Sequence, residues 1–201
     1  MPRCQELTQW TCDDSTYANV SLPNEMVDSS EQSGPPYDAR AIANFLLDIA
    51  DSRRVPLTQV AVLKLLYFAQ GWYLACFNHT LILQDFEAWQ YGPVVKVVRD
   101  EFAKWGRAPI KNRATVLNVH TGERHLASPH LILHDASFVQ RIFETYHLYD
   151  AWQLSALTHE ANSPWDRVWN SLNPFGRMAL RITNEEIRAH FIKLPQRFAV
   201  S

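Results

Sequence analysis

The sequence has few glycines, and it lacks the glycine-rich motifs that serve nucleotide chemistry. It holds six glycines in 201 residues. None of them forms GxGxxG, GxSxG, or GxxxxGK followed by Ser or Thr. Two of these patterns bring backbone N–H groups close to phosphates, and GxSxG places a nucleophilic serine on a sharp turn. The sequence therefore offers no nucleotide-binding loop and no serine nucleophile of that kind.

Cysteine pairs and unbroken apolar runs are also missing. The three cysteines, Cys4, Cys12 and Cys76, form no CxxC pair, and an odd number of cysteines is typical of a reducing compartment. The first ten residues contain no apolar segment of a signal peptide, and polar residues interrupt the apolar stretch 57–77. We therefore predict a cytoplasmic protein that does not enter a membrane.

Positive charge is not in marked excess. Residues 1–36 contain one basic and six acidic residues, a net charge of −5, and the remaining residues carry 18 basic and 15 acidic ones, a net charge of +3. Contact with the phosphate backbone requires clustered Lys and Arg. No helix-turn-helix with a basic recognition helix is visible either. The sequence therefore disfavours nucleic-acid binding by this chain alone.

The amino-terminal part differs from the rest in composition. Residues 1–36 mix Ser, Asn, Asp, Gln and Pro without a helical or strand period, and they end in Ser33-Gly34-Pro35-Pro36. Such composition is typical of a flexible segment. We predict a flexible acidic extension over residues 1–36 and one domain over residues 37–201. Apolar residues scattered in the extension leave open a short docking element.

Apolar periodicity predicts helices in the first half of the domain. Asp38 and Thr58 are candidate N-caps of two helices. The second helix runs to about Phe77 and is apolar on nearly every side, so we expect it at the centre of the domain. Gly92-Pro93 is predicted to start a third helix with proline at its first position, and Gly106 to end it.

The second half of the domain is predicted to combine a small hairpin with more helices. Residues 115–119 and 124–127 are typical of two short strands around a turn. Asp135, Asp150 and Ser163 are candidate N-caps, and Thr183-Asn-Glu-Glu186 matches a capping box. The predicted fold class is mainly α, a compact multi-helix domain with a central apolar helix and a small β-hairpin element.

Two groups of residues have side chains suited to catalysis. His159 and Glu160 could form an acid–base pair of a hydrolase-type enzyme, although neighbouring helix residues point about 100° apart. His120 and His125, with Glu123 between them, have the residue types of a metal site, but their spacing does not place them on one helix face. We expect structural roles for both groups, no metal and no cofactor, and we keep the hydrolase as the alternative interpretation.

Four ordered segments carry a resemblance to a known family. The segments are Lys64-Leu-Leu-Tyr-Phe-Ala69, Gly71-Trp-Tyr-Leu-Ala75, Glu87-Ala-Trp-Gln-Tyr-Gly-Pro-Val-Val95, and Leu157-Thr-His159 with Ser163-Pro-Trp165. In order and spacing they resemble the Panacea domain family, formerly a domain of unknown function. That family includes SocA-like antitoxins and phage-associated GepA-like proteins. The resemblance covers roughly residues 38 to 193.

The resemblance implies an antitoxin and not an enzyme. Panacea domains occur in two-gene toxin–antitoxin systems, so the implied partner is a cognate toxin that an adjacent gene encodes. Neutralisation by direct protein–protein binding is the implied mechanism, and a ClpXP-type protease is a second implied partner. The family signature falls on Lys64, Tyr67, Trp72, Trp89, Tyr91, Gly92, Pro93, His159, Ser163, Pro164 and Trp165, which the resemblance marks as structural or toxin-binding positions without a catalytic role.

Two aromatic residues of this signature could serve either purpose. Trp89 and Tyr91 flank Gln90 just before Gly92, and both residue types fill protein cores as well as interfaces. We expect their exposure to decide between the two roles.

Overall fold

A computed structural model describes residues 34–170 and 180–194 of the protein. Nearly all of the predicted extension over residues 1–36 lies outside the described residues, as does the docking element within it. The described helices are α1 (Ala39–Ser52), α2 (Gln59–Phe77), α3 (Lys96–Phe102), α4 (Leu133–Tyr146), α5 (Ala151–Thr158), α6 (Pro164–Asn170) and α7 (Asn184–Phe191). The strands are β1 (Phe86–Trp89), β2 (Gly92–Val94), β3 (Thr115–Leu117), β4 (Arg124–Leu126) and β5 (Leu180–Ile182). The fold is mainly α with small sheet elements, which confirms the predicted class.

Helix α2 is the centre of the domain, as its composition predicts. The Thr58 side chain accepts the N–H of Ala61 at its start, and Asn78 ends it in the left-handed conformation. Every residue from Ala61 to Leu74 is buried, and α1, α4, α5 and α7 all pack against it. By length and composition α2 could cross a membrane, but 78% of its apolar stretch is buried inside the protein. Burial on all sides explains why α2 has no polar face.

A glycine on α2 allows α7 to pack unusually close. A Cβ atom at Gly71 would lie 2.3 Å from the Phe191 ring. The same ring meets Tyr67 and Trp72 edge-to-face, at centroid distances of 5.6 and 5.2 Å. The Trp72 indole also donates from Nε1 to the Tyr146 hydroxyl at 2.9 Å. The signature residues Tyr67 and Trp72 are therefore core residues that join α2 to its neighbours.

A three-stranded antiparallel sheet, in the order β2-β1-β5, was not predicted from the sequence. The prediction that Gly92-Pro93 starts a helix is wrong, because these residues form β2, and α3 begins only at Lys96. Gly92 pairs with Trp89 and has φ of +100°, a conformation that favours glycine. Pro93 lies on an edge strand of this sheet, where its missing N–H breaks no ladder.

The predicted hairpin is confirmed as β3 and β4, which pair with Val116 opposite His125. Most of the predicted caps are confirmed as well. Asp38 accepts the N–H of Arg40, Asp150 forms a capping box with Gln153, and Thr183 does the same with Glu186.

The cap predicted at Asp135 is wrong, because α4 begins at Leu133, two residues earlier. Asp135 is fully buried in the first turn of α4. Its carboxylate accepts hydrogen bonds from the hydroxyls of Tyr37 and Tyr73, at 2.7 and 2.8 Å. The carboxylate therefore links three parts of the fold instead of capping one helix.

Candidate functional site: a buried junction beside an exposed aromatic groove

Signature residues from three distant parts of the chain meet beside α2. Lys64 is 1% exposed, and its Nζ donates to the carbonyl oxygen of Pro93 at 3.1 Å. A Cβ atom at Gly92 would lie 2.5 Å from Lys64 Nζ and 2.6 Å from the Thr158 hydroxyl. We call this cluster the signature junction; it comprises Lys64, Gly92, Pro93, Thr158, Ser163 and Trp165. Only a residue without a side chain fits at its centre.

The turn between α5 and α6 is built from hydroxyl side chains that satisfy the backbone. The Thr158 hydroxyl donates to the carbonyl of Ser155 at 2.8 Å, and the Ser163 hydroxyl donates to the carbonyl of Thr158 at 2.9 Å. Ser163 also accepts the N–H of Asp166 at 3.1 Å and so caps α6, whose first residue is Pro164. The predicted Ser-Pro helix start is confirmed.

Trp165 connects this turn to the first sheet. It is 7% exposed, and its Nε1 donates to the carbonyl oxygen of Trp89 at 2.7 Å. The His159 ring stacks on Trp165, with the centroids 3.8 Å apart and the planes 19° apart. His159 also ends α5, with its backbone N–H bonded to the last turn, so both its ring and its backbone are held within the fold.

Burial shifts the charge states inside the junction. Desolvation lowers the pKa of Lys64 to about 7, since a buried ammonium loses its hydration. Within residues 34–170 and 180–194 no carboxylate forms an ion pair with it. The pKa of His159 is also lowered, first by burial and then by the positive charge of Lys64, which the nearby carboxylate of Asp166 opposes. The junction is therefore an enclosed and weakly charged region.

The structure does not assemble the residues of the alternative, enzymatic interpretation. His159 is half-buried against Trp165, whereas Glu160 is exposed. His120 and His125 lie exposed on the β3–β4 hairpin, and His125 Nε2 is 3.9 Å from a carboxylate oxygen of Glu123. In the described part of the chain no group of three or more His, Cys, Asp or Glu side chains could hold a metal ion.

Trp89 and Tyr91 have different surroundings, although Trp89 ends β1 and Tyr91 lies in the turn that follows it. Trp89 is half-buried, its Nε1 donates to Glu87 at 2.8 Å, and the guanidinium of Arg99 lies 5.0 Å above its ring. Tyr91 is 56% exposed, while its backbone carbonyl accepts a hydrogen bond from Ser155 at 3.2 Å. By the exposure criterion Tyr91 is the interface candidate and Trp89 belongs to the edge of the junction.

Tyr91 forms one side of a groove on the surface next to the junction. The groove has a volume of about 280 Å³. Its other prominent aromatic residue, Trp152 in the first turn of α5, is 73% exposed. We call this surface the aromatic groove; it is lined by Thr58, Val60, Tyr91, Gly106, Arg107, Ala151, Trp152 and Ser155.

Sequence reasoning missed Trp152 and Arg107 as surface residues of interest. A signal for Trp152 was present, since Leu154 and Leu157 define the inner face of α5 and Trp152 lies off that face. No pattern pointed to Arg107, because its position depends on how the turn after α3 folds against α2.

These features together describe a small, mainly helical domain, with a packed junction and an exposed aromatic surface beside it. Two comparisons with known proteins agree with that class. The model of the family described as antitoxin SocA-like, Panacea domain, matches residues 62–166. The antitoxin SocA of Caulobacter vibrioides (strain NA1000 / CB15N) is 36% identical over 154 residues, which cover 77% of this chain and 82% of that protein.

The chain therefore belongs to the SocA-like Panacea domain family. The resemblance in its four sequence segments is thereby confirmed. No solved structure shows a significant match to the chain.

Proposed function

We propose that this protein is an antitoxin that neutralises a protein toxin by binding to it directly. The observation that carries the proposal is the match to the antitoxin SocA, which extends over 82% of that protein at 36% identity. A match over 154 residues is far longer than any one of the four signature segments. The proposed partner is a cognate toxin that a neighbouring gene encodes, and the proposed place of action is the cytoplasm.

Binding, and not turnover, is the proposed mechanism. Lys64 and His159 are two signature residues with proton-transfer chemistry. Lys64 is 1% exposed, so a substrate could not reach its amine, and the His159 ring is stacked on Trp165. The large side chains that do face solvent near the signature are Tyr91 and Trp152, which are residue types enriched in protein interfaces.

Two further features belong to the proposal. We propose that residues 37–201 form the toxin-binding domain and that residues 1–36 precede it as an acidic extension. Delivery of the bound toxin to a ClpXP-type protease would be a second step, because it requires the complex to form first.

Co-expression with the neighbouring gene tests the proposal. We expect the neighbouring gene product alone to arrest growth, and the two proteins together to permit growth and to co-purify. Growth arrest that persists while this chain is folded and abundant, with no co-purification, would refute the antitoxin function. Toxin levels in cells with and without ClpX separate the two steps: a ClpX-dependent fall indicates delivery, and constant levels with growth indicate neutralisation by binding alone.

A further inference from the structure

We infer that the aromatic groove is the surface that holds the toxin, and that it receives an apolar side chain of the toxin with a carboxylate beside it. This inference rests on the proposed antitoxin function and adds to it the contact surface and the chemistry of the partner. Three properties of the groove support it: its size, the residues at its rim and its charge.

The size of the groove fits one or two amino-acid side chains. Its volume of about 280 Å³ lies just below the range of roughly 300 to 1,000 Å³ that is usual for small-molecule pockets. Four of its lining residues, Thr58, Val60, Ala151 and Ser155, are small or β-branched, so they leave room for an incoming side chain. An open and mainly apolar depression of this volume suits a side chain presented by another protein better than an enclosed metabolite.

The rim of the groove consists of the residue types that dominate binding energy in protein interfaces. Tyr91, Arg107 and Trp152 all line it, and Tyr, Arg and Trp are the types most enriched among interface hot spots. The backbone at both aromatic residues is already fixed. The Tyr91 carbonyl accepts from Ser155, and the Trp152 N–H donates to Asp150 at 2.8 Å. A partner would therefore meet a surface whose backbone needs little ordering, which lowers the entropic cost of binding.

The charge of the groove selects a carboxylate. Arg107 is its charged residue, and among the described residues no ion pair involves it. The carboxylate closest in sequence to Trp152 is that of Asp150, which is used in the capping box of α5. An unpaired guanidinium next to an apolar floor favours a charge-assisted hydrogen bond to an incoming carboxylate.

The acidic extension of this chain would have to run back along α2 to reach the groove, whereas a separate protein meets the groove directly. The chain enters the described fold at Tyr37, which bonds to Leu81 and Leu83 just beyond the carboxyl end of α2. The groove includes Thr58 and Val60 at the opposite end of α2. A helix of 19 residues is about 28 Å long at a rise of 1.5 Å per residue, so the extension starts one helix length away from the groove.

The test uses the purified full chain and the neighbouring gene product as the probe, with affinity measured by calorimetry. We expect Trp152→Ala and Arg107→Glu each to weaken binding by about tenfold or more, as hot-spot substitutions do. The matched controls are Val119→Ala on the β3–β4 hairpin, which is 81% exposed, and Arg54→Glu at the exposed end of α1. The controls should stay within about twofold of the unmodified chain, and thermal unfolding should show that all four variants are folded.

The outcomes separate the inference from the proposed function. If the unmodified chain binds the probe and the groove variants bind as tightly as the controls, the groove is not the contact surface, while the antitoxin function stands. If the unmodified chain does not bind, the function fails and the inference fails with it. In the complex of Arg107→Glu, substitution of a toxin carboxylate by lysine should recover affinity if the predicted charge pair exists.

Hydroxyl-radical footprinting of the full chain tests whether the groove is occupied by the toxin or by part of this protein itself. We expect oxidation at Tyr91 and Trp152 in the free chain and protection of both in the complex. Protection that is already complete in the free chain would assign the groove to the amino-terminal segment or to a second copy of the chain, and would overturn the inference. Dilution separates these two occupants, because only a second copy dissociates.

Discussion

The signature junction and the aromatic groove lie side by side but have opposite physical character. They share the turn between β1 and β2, from which Gly92 packs against Lys64 while Tyr91 faces solvent. In the junction Lys64 and Trp165 are at most 7% exposed, whereas in the groove Trp152 is 73% exposed. Most of the signature residues are therefore buried, and the exposed groove beside them consists mainly of other positions. Family membership accordingly identifies the fold far better than it identifies a toxin.

Two tryptophans provide the strongest test of this contrast. Trp165→Ala should lower the free energy of unfolding by about 3–5 kcal/mol, as truncation of a buried aromatic does, because it also removes the hydrogen bond to the Trp89 carbonyl. Trp152→Ala should change it by no more than about 0.5 kcal/mol, as is usual at an exposed site. Chemical denaturation measures both values. Equal effects of the two substitutions would contradict the division into scaffold and surface.

Two glycines give the next largest expected difference. Gly92→Ala should cost about 3 kcal/mol or more, because φ is +100° and the new methyl group would lie 2.5 Å from Lys64 Nζ. Gly106→Ala is the matched control, since Gly106 also has positive φ, +54°, but nothing lies within 4 Å of its Cβ position. That variant should lose less, about 1–3 kcal/mol, because only the glycine-favouring backbone at φ +54° and ψ −113° opposes the new methyl group.

If the two glycine variants unfold at the same denaturant concentration, close packing around Lys64 contributes nothing and the junction is looser than the structure indicates. A loss confined to Gly92→Ala would show that the methyl group, and not the backbone conformation, is responsible.

The sequence predicted local features well and the sheet badly. The caps at Asp38, Thr58 and Ser163 were predictable because each depends on a few neighbouring residues. The central place of α2 was predictable because its residues are apolar on every side. The strands of the first sheet contain three or four residues each, too few to show a period. The pairing of β1 with β5 joins segments that are more than 90 residues apart, as in Phe86 opposite Ile182.

The same limit applied to the candidate site. Gly92-Pro93 has the composition of a helix start, and local rules gave no reason to place it in a strand. What decides its conformation is the contact with Lys64 and Thr158, which are distant in sequence. The junction could be recognised as a set of signature residues, but not as one packed cluster, until the chain was folded.

The buried amine of Lys64 predicts that the junction makes the free energy of unfolding depend on pH, which the groove does not. The pKa of Lys64 is about 7 in the folded chain and about 10.4 when unfolded. Between these values the unfolded chain binds a proton that the folded chain does not, so the free energy of unfolding rises with pH. Below the pKa of the folded chain both states bind the proton, and the free energy of unfolding no longer changes with pH. Above the pKa of the unfolded chain neither state binds it, and burial of the amine no longer destabilises the fold.

The measurement compares the unmodified chain with Lys64→Met by denaturation from about pH 7.5 to about pH 9.5. The difference in unfolding free energy should shift in favour of the unmodified chain by about 1.4 kcal/mol per pH unit, the value for one proton. Arg107→Met in the groove is the control and should give a constant difference, because arginine stays charged throughout this range. A constant difference for Lys64→Met as well would mean that Lys64 does not lose its proton on folding.

The smallest expected effect concerns Tyr67, a signature residue whose buried hydroxyl lowers the stability of the fold. The Tyr67 hydroxyl is buried and has no hydrogen-bond partner among the described residues, and burial raises the pKa of the phenol. Removal of an unsatisfied buried hydroxyl relieves a desolvation cost, so Tyr67→Phe should stabilise the fold by about 1 kcal/mol. Tyr73→Phe is the matched control and should destabilise it, because the Tyr73 hydroxyl donates to the buried carboxylate of Asp135 at 2.8 Å.

A loss of stability in both variants would show that Tyr67 has a partner, and its place in the signature would then be explained by the scaffold alone. If Tyr67→Phe is more stable and binds the toxin as before, the buried hydroxyl of Tyr67 destabilises the fold and is not needed for binding.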